Sequence, residues 1–410
     1  MAKKSRKEPE FEVVLWGATG FTGALVARHL VETYGDGLRL ALAGRNVSKL
    51  ETLREQLGRP DLPLIEADSN DRSSLDKMVA RTRVVCTTVG PYATYGTELL
   101  AACAAAGTDY CDLTGEVQWM ERTIDHHLEG ARNSGARIVH TCGFDSIPSD
   151  LGTYFLQQAM HDEFGEYADQ VKSRVGKFSG SASGGTVASM MHMFEEAVGD
   201  HAVREAMTNP YSLNPKGERS GPDQPDRNKA EYDEDFQQWS STFVMAAINT
   251  RVVRRSNALA GYPYGKDFMF SERMLTGKGG QGKRKAAAVS MGGQLTPVVM
   301  AVKPLRKLAA RFLPSPGEGP SPEAQLKGHF ELFFHGVNSA SGNSLKARVH
   351  GDRDPGYGAT SRMLGEAAVC LARDDLACAG GIWTPATAMG DKLITRLQQS
   401  AGMGFELIAD

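Results

Sequence analysis

A buried strand that runs directly into a glycine turn stands near the start of this chain. Residues 11–16 (FEVVLW) are apolar and β-branched, and residues 17–23 (GATGFTG) lead from them into a helical pattern at 24–31. Glycine is required where a chain turns sharply off a strand, where backbone approaches a pyrophosphate, and where a helix packs on a strand. The spacing is GxxGxxG rather than GxGxxG. The segment predicts a dinucleotide site at a helix N-terminus, and its residues are Gly17, Ala18, Thr19, Gly20, Phe21, Thr22 and Gly23.

The end of the second predicted strand indicates which dinucleotide binds. Residues 38–43 (LRLALA) end in Gly44, Arg45 and Asn46, about 20 residues past the glycine turn, where the ribose-reading residue is expected. NAD enzymes carry an acid at this place, whereas a guanidinium pairs with a 2′-phosphate. The predicted cofactor is therefore NADP(H), with Asn46 adding hydrogen-bonding capacity. The alternative is that Arg45 is a solvated loop residue.

Two further strand ends should line the cofactor, because cofactors of open α/β sheets sit at the carboxyl ends of the strands. Residues 62–67 (LPLIEA) end at Asp68, which either caps the next helix or reaches the adenine edge. Residues 83–89 (RVVCTTV) form a near-continuous apolar run, which is typical of a strand buried on both faces. The residues that follow this run are predicted on the nicotinamide side, and they are Gly90, Pro91 and Tyr92.

Three side chains near these strand ends are candidates for proton transfer or substrate orientation. The phenols of Tyr92 and Tyr95 can donate a proton, although buried tyrosines also serve as hydrogen-bonded packing residues. Asp145 follows the predicted strand 136–141 and can orient a carbonyl, relay a proton or cap the next helix. His140 either faces the cofactor or is a satisfied core histidine.

The order of elements predicts an α/β fold. Six alternating β/α units up to residue 150 indicate a Rossmann-type doubly wound parallel sheet. Strand patterns at 170–178, 243–253 and 267–274, and a hairpin at 328–337 and 344–351, then predict a second α+β domain with a largely antiparallel sheet. The predicted organisation is a basic tail at 1–10, an NADP-binding domain at 11–150, a substrate domain at 151–375 with an insertion at 278–311, and a C-terminal segment at 376–410 that returns to the first domain.

Taken together, the motifs resemble the saccharopine dehydrogenase-like oxidoreductases. GATGFTG, AGRN, VGPYATYG, DLTGE and GFDSIPSDLG carry this resemblance, while NTRVVRRSNAL at 249–259 and TPATAMGD at 384–391 resemble the trans-acting enoyl reductases of mycobacterial polyketide-lipid synthesis. The resemblance implies a stand-alone NADPH-dependent reductase that saturates an enoyl double bond on a chain tethered to the acyl carrier domain of a polyketide synthase. It also implies cofactor roles for Gly17, Gly20, Gly23 and Arg45. Where saccharopine reductases have a GLDPG-type turn, this chain reads GFDSIP.

Two polar motifs of the second domain have alternative interpretations. Alternation along a predicted strand places Arg251 and Arg255 on one face and Arg254 on the other. These arginines either meet the phosphopantetheine or acidic helix of an acyl carrier, or are solvated and paired with local acids. The run 179–186 (SGSASGGT) either holds a phosphate or thioester oxygen or forms a flexible turn.

The insertion at 278–311 has a charge opposite to that of the whole chain. No acidic residue lies between Arg273 and Gly317, whereas lysines and arginines flank an apolar stretch at 286–302 that glycines and a proline interrupt. Such a segment suits an interfacial contact with anionic lipid or with an acyl chain. The alternative is a packed helix with exposed lysines, and a homodimer is also left open.

Composition and missing motifs exclude several classes. With 46 Lys+Arg against 49 Asp+Glu and a net charge of -3, the chain is not a polycationic nucleic-acid binder. It contains no HExxH, GxSxG, CxxC or zinc-spaced Cys/His set. The N-terminal residues lack an apolar signal region, so the prediction is cytoplasmic, with a peripheral position at the inner face of the plasma membrane as the alternative.

The leading functional hypothesis is an NADP-dependent oxidoreductase that reduces the double bond of an α,β-unsaturated thioester. One alternative is a saccharopine-reductase-like or ketone-reducing enzyme. Another is a scaffold that binds dinucleotide without turnover and docks on a membrane or a synthase through 278–311.

Overall fold

The computed structural model describes residues 8–179, 184–223, 229–302 and 321–409, and the chain divides into two compact units. The first unit comprises Met1–Thr114, Thr123–Gly143 and Thr360–Ser400. The second comprises Gly115–Arg122, Phe144–Ala359 and Ala401–Asp410. Among the described residues, no helix is both long enough and apolar enough to cross a bilayer.

A seven-stranded parallel sheet forms the centre of the first unit. Its strands are β1 (Phe11–Trp16), β2 (Leu40–Gly44), β3 (Leu64–Glu66), β4 (Thr82–Thr87), β5 (Asp109–Cys111), β6 (Arg137–Val139) and β13 (Gly381–Trp383). Their order is β13-β6-β5-β4-β1-β2-β3, and every pairing is parallel. Because β1, β2 and β4 are buried on both faces, they read as continuous apolar runs. The predicted Rossmann-type doubly wound sheet is confirmed.

Helices between these strands complete the first unit. They are α1 (Phe21–Tyr34), α2 (Val47–Gln56), α3 (Arg72–Val79), α4 (Tyr92–Tyr95), α5 (Thr97–Ala106), the part of α6 (Val117–Ser134) from Thr123 onward, α13 (Thr360–Arg373) and α14 (Pro385–Ser400). The buried carboxylate of Glu366 on α13 accepts hydrogen bonds from His29 Nε2 at 2.8 Å and from the Tyr34 hydroxyl at 2.6 Å, both on α1. These bonds hold the helix that follows the glycine turn against the C-terminal part of the chain.

The second unit contains a mixed, mostly antiparallel sheet. Its strands are β7 (Gln170–Ser179), β8 (Glu231–Asp233), β9 (Gln238–Ser241), β10 (Met269–Gly277), β11 (His329–Val337), β12 (Ser344–Gly351) and β14 (Met403–Ile408), in the order β14-β12-β11-β7-β10-β9-β8. Among the strand pairs that the structure describes in this sheet, only β7–β10 is parallel. The predicted hairpin is β11–β12, and the prediction of a largely antiparallel sheet is confirmed.

One predicted strand of the second unit is wrong. The helices here are α7 (Ile147–Phe164), α8 (Gly184–Gly199), α9 (His201–Thr208), α10 (Ala246–Leu259), α11 (Gly279–Ala301) and α12 (Pro322–Lys327). The pattern at 243–253 predicted a strand, but most of it belongs to α10. β-branched residues at 248, 250, 252 and 253 alternate with polar ones, and the helix is buried on nearly all sides. Without an exposed face it lacks the amphipathic period that identifies a helix.

Candidate active site

The glycine turn after β1 closes tightly on its own backbone. Gly17 has φ +82°, and a Cβ there would stand 2.5 Å from Val89 Cγ2. A Cβ on Gly23 would stand only 2.2 Å from Gly17 O. The Gly20 amide donates to Gly17 O at 3.0 Å, and α1 then begins with no side-chain cap and no acid in its first turn. The start of the helix presents amides and the positive end of its dipole to an anion, so the turn fits a pyrophosphate.

The predicted cofactor residues of the first unit share one edge of its sheet. β4, β1 and β2 are neighbours, and their carboxyl ends lead into Gly90, the glycine turn and Arg45 respectively. In the turn, Ala18 is buried in the core, Thr19 is exposed, and Phe21 and Thr22 are half-buried.

Arg45 is exposed directly after β2. Among the described residues, none accepts a hydrogen bond from its guanidinium. By contrast, the Asn46 side chain accepts from the Lys49 amide at 3.0 Å and caps α2. Arg45 thus offers an uncommitted cation where the sequence predicts a 2′-phosphate, while the Asn46 side chain has a local role.

Asp68, after β3, forms a local turn instead of capping α3. Its Oδ1 accepts from the Asn70 amide at 2.9 Å. The N-cap of α3 is Asp71, which accepts from the Ser73 amide at 3.0 Å. The capping alternative for Asp68 is therefore wrong.

The chain after β4 passes through a cis peptide bond between Gly90 and Pro91. The two tyrosines that follow differ in exposure. Tyr92 is 3% exposed, and its hydroxyl donates to Thr87 O at 3.2 Å and accepts from the Leu113 amide at 3.4 Å. Tyr95, at the end of α4, is 39% exposed. Tyr92 therefore links the carboxyl ends of β4 and β5, and Tyr95 is the more accessible phenol.

A buried polar network lies behind this edge, and sequence reasoning identified only part of it. Asp112 Oδ2 accepts from the Tyr110 hydroxyl at 2.9 Å and lies 2.7 Å from His140 Nδ1. Asp112 Oδ1 accepts from the amides of Thr114 and Thr141, each at 3.1 Å. Burial, followed by the charge of Asp112, raises the pKa of Tyr110 well above its ordinary value. His140 is a satisfied core histidine, as its alternative interpretation held. The available signal was the spacing of Tyr110 and Asp112, two residues apart at the carboxyl end of β5.

Asp145 belongs to the second unit and is half-buried in the turn that precedes α7. The next residue, Ser146, donates its hydroxyl to Asn249 Oδ1 on α10 at 3.1 Å. Asn249 Nδ2 donates in turn to Glu272 Oε2 on β10 at 2.7 Å, and Ser149 donates to Glu272 Oε1 at 2.6 Å. These bonds join the motifs at 143–152 and 249–259.

The three arginines of α10 correct two expectations. They lie on a helix, so the predicted alternation of Arg251 and Arg255 against Arg254 does not occur, and all three are buried rather than solvated. Arg254 Nε donates to Asp223 Oδ2 at 2.7 Å, and its Nη atoms donate to the carbonyls of Pro210 and Phe270.

The other two guanidiniums also bind backbone carbonyls, one in the last turn of α9 and one in the chain between α9 and β8. Arg251 donates to Met207 O at 2.7 Å, and Arg255 donates to Leu213 O. Irregular backbone has carbonyls that no ladder satisfies, so buried donors hold it in place. These arginines fasten the segment 207–223 to α10.

Three predicted features lie partly outside the described residues. Of the basic tail at 1–10, residues 1–7 are not described. For the serine–glycine run at 179–186, residues 180–183 are not described, and α8 begins at Gly184. For the insertion at 278–311, the description ends at Val302.

Comparisons with known proteins identify relatives of this chain. Residues 13–161 match the saccharopine dehydrogenase NADP-binding domain. A trans-acting enoyl reductase of Mycobacterium tuberculosis is 41% identical over 410 residues, covering 96% of this chain and 97% of that protein. A trans-acting enoyl reductase of Mycobacterium ulcerans is 40% identical over 414 residues, covering 97% of each. Among solved structures, saccharopine dehydrogenase (L-Glu forming) from Saccharomyces cerevisiae aligns over 97% of this chain and 99% of that chain, with a TM-score of 0.53. Its identity is 11%, so it shows the fold alone.

Proposed function

Because this chain belongs to the family of the trans-acting enoyl reductases and carries a saccharopine dehydrogenase NADP-binding domain, we propose that it saturates the double bond of an α,β-unsaturated acyl thioester. The family predicted from the motifs is confirmed, and the chain is an NADP-dependent oxidoreductase. The observation that carries the proposal is the identity of about two residues in five along nearly the whole length of the relatives.

The residues of the first unit fit NADP(H). The pyrophosphate binds at the glycine turn, in space that a Cβ at Gly17 or Gly23 would fill. The N-terminus of α1 faces the negative charge of the pyrophosphate. Arg45 pairs with the 2′-phosphate. Gly90, Pro91 and Tyr92 line the nicotinamide side. Since the side chains of Asn46 and Asp68 are held by local hydrogen bonds, Arg45 is the main determinant of the choice between NADP and NAD.

When bound, NADPH supplies the hydride that adds to the β-carbon of the enoyl group. One carbon–carbon π bond breaks, carbon–hydrogen bonds form at the β- and α-carbons, and one proton is consumed. The exposed Tyr95 phenol is our candidate donor of that proton to the α-carbon, with Asp145 and water as alternatives. Tyr92 fixes the adjacent strand ends through its two backbone hydrogen bonds.

The first experiment follows NADPH oxidation with a long-chain 2-enoyl thioester on coenzyme A and on a carrier protein. Arg45→Glu should lower NADPH affinity by about 10- to 100-fold, because a charge-assisted hydrogen bond becomes a repulsion. Arg28→Glu, an exposed arginine on α1, is the matched control and should bind NADPH normally. Tight NADPH binding without turnover on either carrier would favour the scaffold, and turnover of ketones or of amino acids with aldehydes would favour the other alternative.

The proton donor is tested by exchanging the two phenols separately. Tyr95→Phe should lower kcat by about a hundredfold while NADPH affinity is unchanged. Tyr92→Phe removes a buried hydrogen bond to Thr87 O and should lower the free energy of unfolding by about 1 kcal/mol. A normal kcat for Tyr95→Phe would move the role to Asp145 or water.

Three partner predictions belong to the same proposal. The acyl chain is presented on a carrier domain of a polyketide synthase, as the family resemblance implies. Residues 278–311 contact lipid at the inner face of the plasma membrane, which the exposed lysines and arginine at 278–285 support. The third prediction is a homodimer, which light scattering of the purified protein tests by measuring the molar mass in solution.

A further inference from the structure

One face of α11 is covered by the sheet of the second unit. Gly282, Ala286 and Ser290 are buried at a spacing of four residues. Ser241 on β9 donates its hydroxyl to Ala286 O at 3.1 Å, and its oxygen lies 2.8 Å from the Ser290 hydroxyl. These contacts fix which side of the helix faces outward.

The N-terminal part of α11 and the residue before it are exposed and basic. Lys278, Arg284 and Lys285 are exposed, and among the described residues none of them forms an ion pair. No acid follows before Gly317. Lys278 adjoins the positive end of the α11 dipole, and the three cations repel one another until an anion neutralises them.

The C-terminal part of α11 is exposed and apolar. Met291 is 63% exposed and Leu295 is 54% exposed, and the two are four residues apart on the same side of the helix. Val302, just past its end, is 40% exposed. The cations and the apolar side chains therefore lie in different parts of α11, which is about 34 Å long at 1.5 Å per residue.

We propose that this α11 surface, defined by Lys278, Arg284, Lys285, Met291 and Leu295, binds an anionic lipid bilayer. The cations contact lipid phosphates, and the two apolar side chains enter the boundary between headgroups and acyl chains. This proposal rests on the lipid contact proposed above for 278–311 and names the residues that make it. It does not depend on the reduction reaction, because the surface contains no residue assigned to the cofactor or to proton transfer.

Charge distinguishes lipid from the other occupants. In a twofold-symmetric antiparallel pair of α11 helices, a second copy would place apolar residues, and no anion, opposite the cations. An acidic carrier helix would neutralise the basic end but leave Met291 and Leu295 in water. An anionic bilayer satisfies both ends, since it offers phosphates and hydrocarbon at adjacent depths.

The test is co-sedimentation of the full-length protein with vesicles of phosphatidylcholine alone or with one third phosphatidylglycerol. Binding should require the anionic lipid. The triple variant Lys278→Glu/Arg284→Glu/Lys285→Glu should weaken it by at least about a hundredfold, at roughly fivefold per charge near the surface. Met291→Ser/Leu295→Ser should weaken it by about tenfold or more, because the buried apolar area is lost.

Two matched controls separate the α11 surface from general charge and hydrophobicity. Lys77→Glu/Lys266→Glu/Lys392→Glu changes the same number of exposed charges elsewhere, and Val244→Ser removes a side chain that is 62% exposed outside α11. Both should bind vesicles like the unmodified protein. Turnover of a soluble coenzyme A thioester should be equal in all variants, so a failed reductase assignment and a failed lipid assignment give different results.

Several outcomes would overturn the proposal. These are equal binding to neutral and anionic vesicles, vesicle binding unaffected by either α11 variant, or a control variant that loses binding as strongly. A dimer that becomes a monomer in Met291→Ser/Leu295→Ser, with vesicle binding unchanged, would instead identify α11 as a contact between copies.

Discussion

Polar groups are under opposite constraints at the cofactor edge of the first unit and in the α10 network of the second unit. In the first unit, the glycine turn leaves backbone amides at the start of α1, and Arg45 extends an uncommitted guanidinium. In the second unit, Arg254 and Glu272 are buried and bound to other protein groups. Uncommitted polar groups at a strand edge indicate a ligand, whereas buried and satisfied ones indicate folding. Substitutions should therefore change ligand binding at the cofactor edge and stability in the α10 network.

The largest effect expected from this comparison is on Arg254. Arg254→Met removes the guanidinium from which Asp223 and the carbonyls of Pro210 and Phe270 accept. Asp223 Oδ2 keeps its hydrogen bond from the Phe270 amide but loses its counter-ion. Breaking a buried ion pair from one side costs about 3–5 kcal/mol, so urea denaturation should show a loss of that size. NADPH affinity should be unchanged in the folded fraction.

A second substitution decides whether Arg254 is structural. Asp223→Asn in the Arg254→Met background removes the uncompensated charge and should recover part of the lost stability. If Arg254→Met were as stable as the parent but inactive only on carrier-bound thioester, the arginine would serve the carrier, and the two units would not differ in the way described.

The next effect tests the first unit through Gly23. Gly23→Ala places a Cβ 2.2 Å from Gly17 O, and backbone must move because no flexible side chain can yield. NADPH affinity should fall by about a hundredfold, while overpacking costs about 1–3 kcal/mol. Fluorescence titration with NADPH and thermal denaturation measure the two effects.

Gly130→Ala on α6 is the matched control, because nothing lies within 4 Å of a Cβ there. It should leave NADPH affinity unchanged and stabilise the helix by up to about 1 kcal/mol. Equal NADPH affinity for both variants would show that the turn is not the pyrophosphate site.

The same contrast explains what the sequence can predict. The glycine turn, β1 and the β11–β12 hairpin have local signals: glycine spacing, continuous apolar runs and strand alternation. In α10 the sequence shows no amphipathic helical period, because its arginines are buried. They bind carbonyls in the segment 207–223, which is distant in sequence. β13 was missed for a related reason, since three residues at 381–383 form a strand only by pairing with β6. The bond from Tyr110 to Asp112, likewise, follows from the way their strand end is buried.

Of the three positions compared, Glu272 on β10 has the smallest expected effect. This carboxylate accepts from Ser149, Ser173 and Asn249. Glu272→Gln replaces one acceptor oxygen by an amide that faces donors, which should lower the free energy of unfolding by about 1–3 kcal/mol. Because Asn249 also accepts from Ser146, beside Asp145, kcat should fall as well if that turn contacts substrate, with NADPH affinity unchanged.

Ser173→Ala separates the two consequences. It removes a 3.2 Å hydrogen bond to the same carboxylate but leaves the bonds to Ser149 and Asn249 in place. It should cost about 0.5–1.5 kcal/mol with kcat unchanged. A fall in kcat for Glu272→Gln alone would mean that a buried network of the second unit also positions the reacting groups. Equal kcat in both variants would mean that Glu272 serves folding alone. A carboxylate that only joins α7, α10 and the sheet does not contact the reacting groups and should not change the reaction rate.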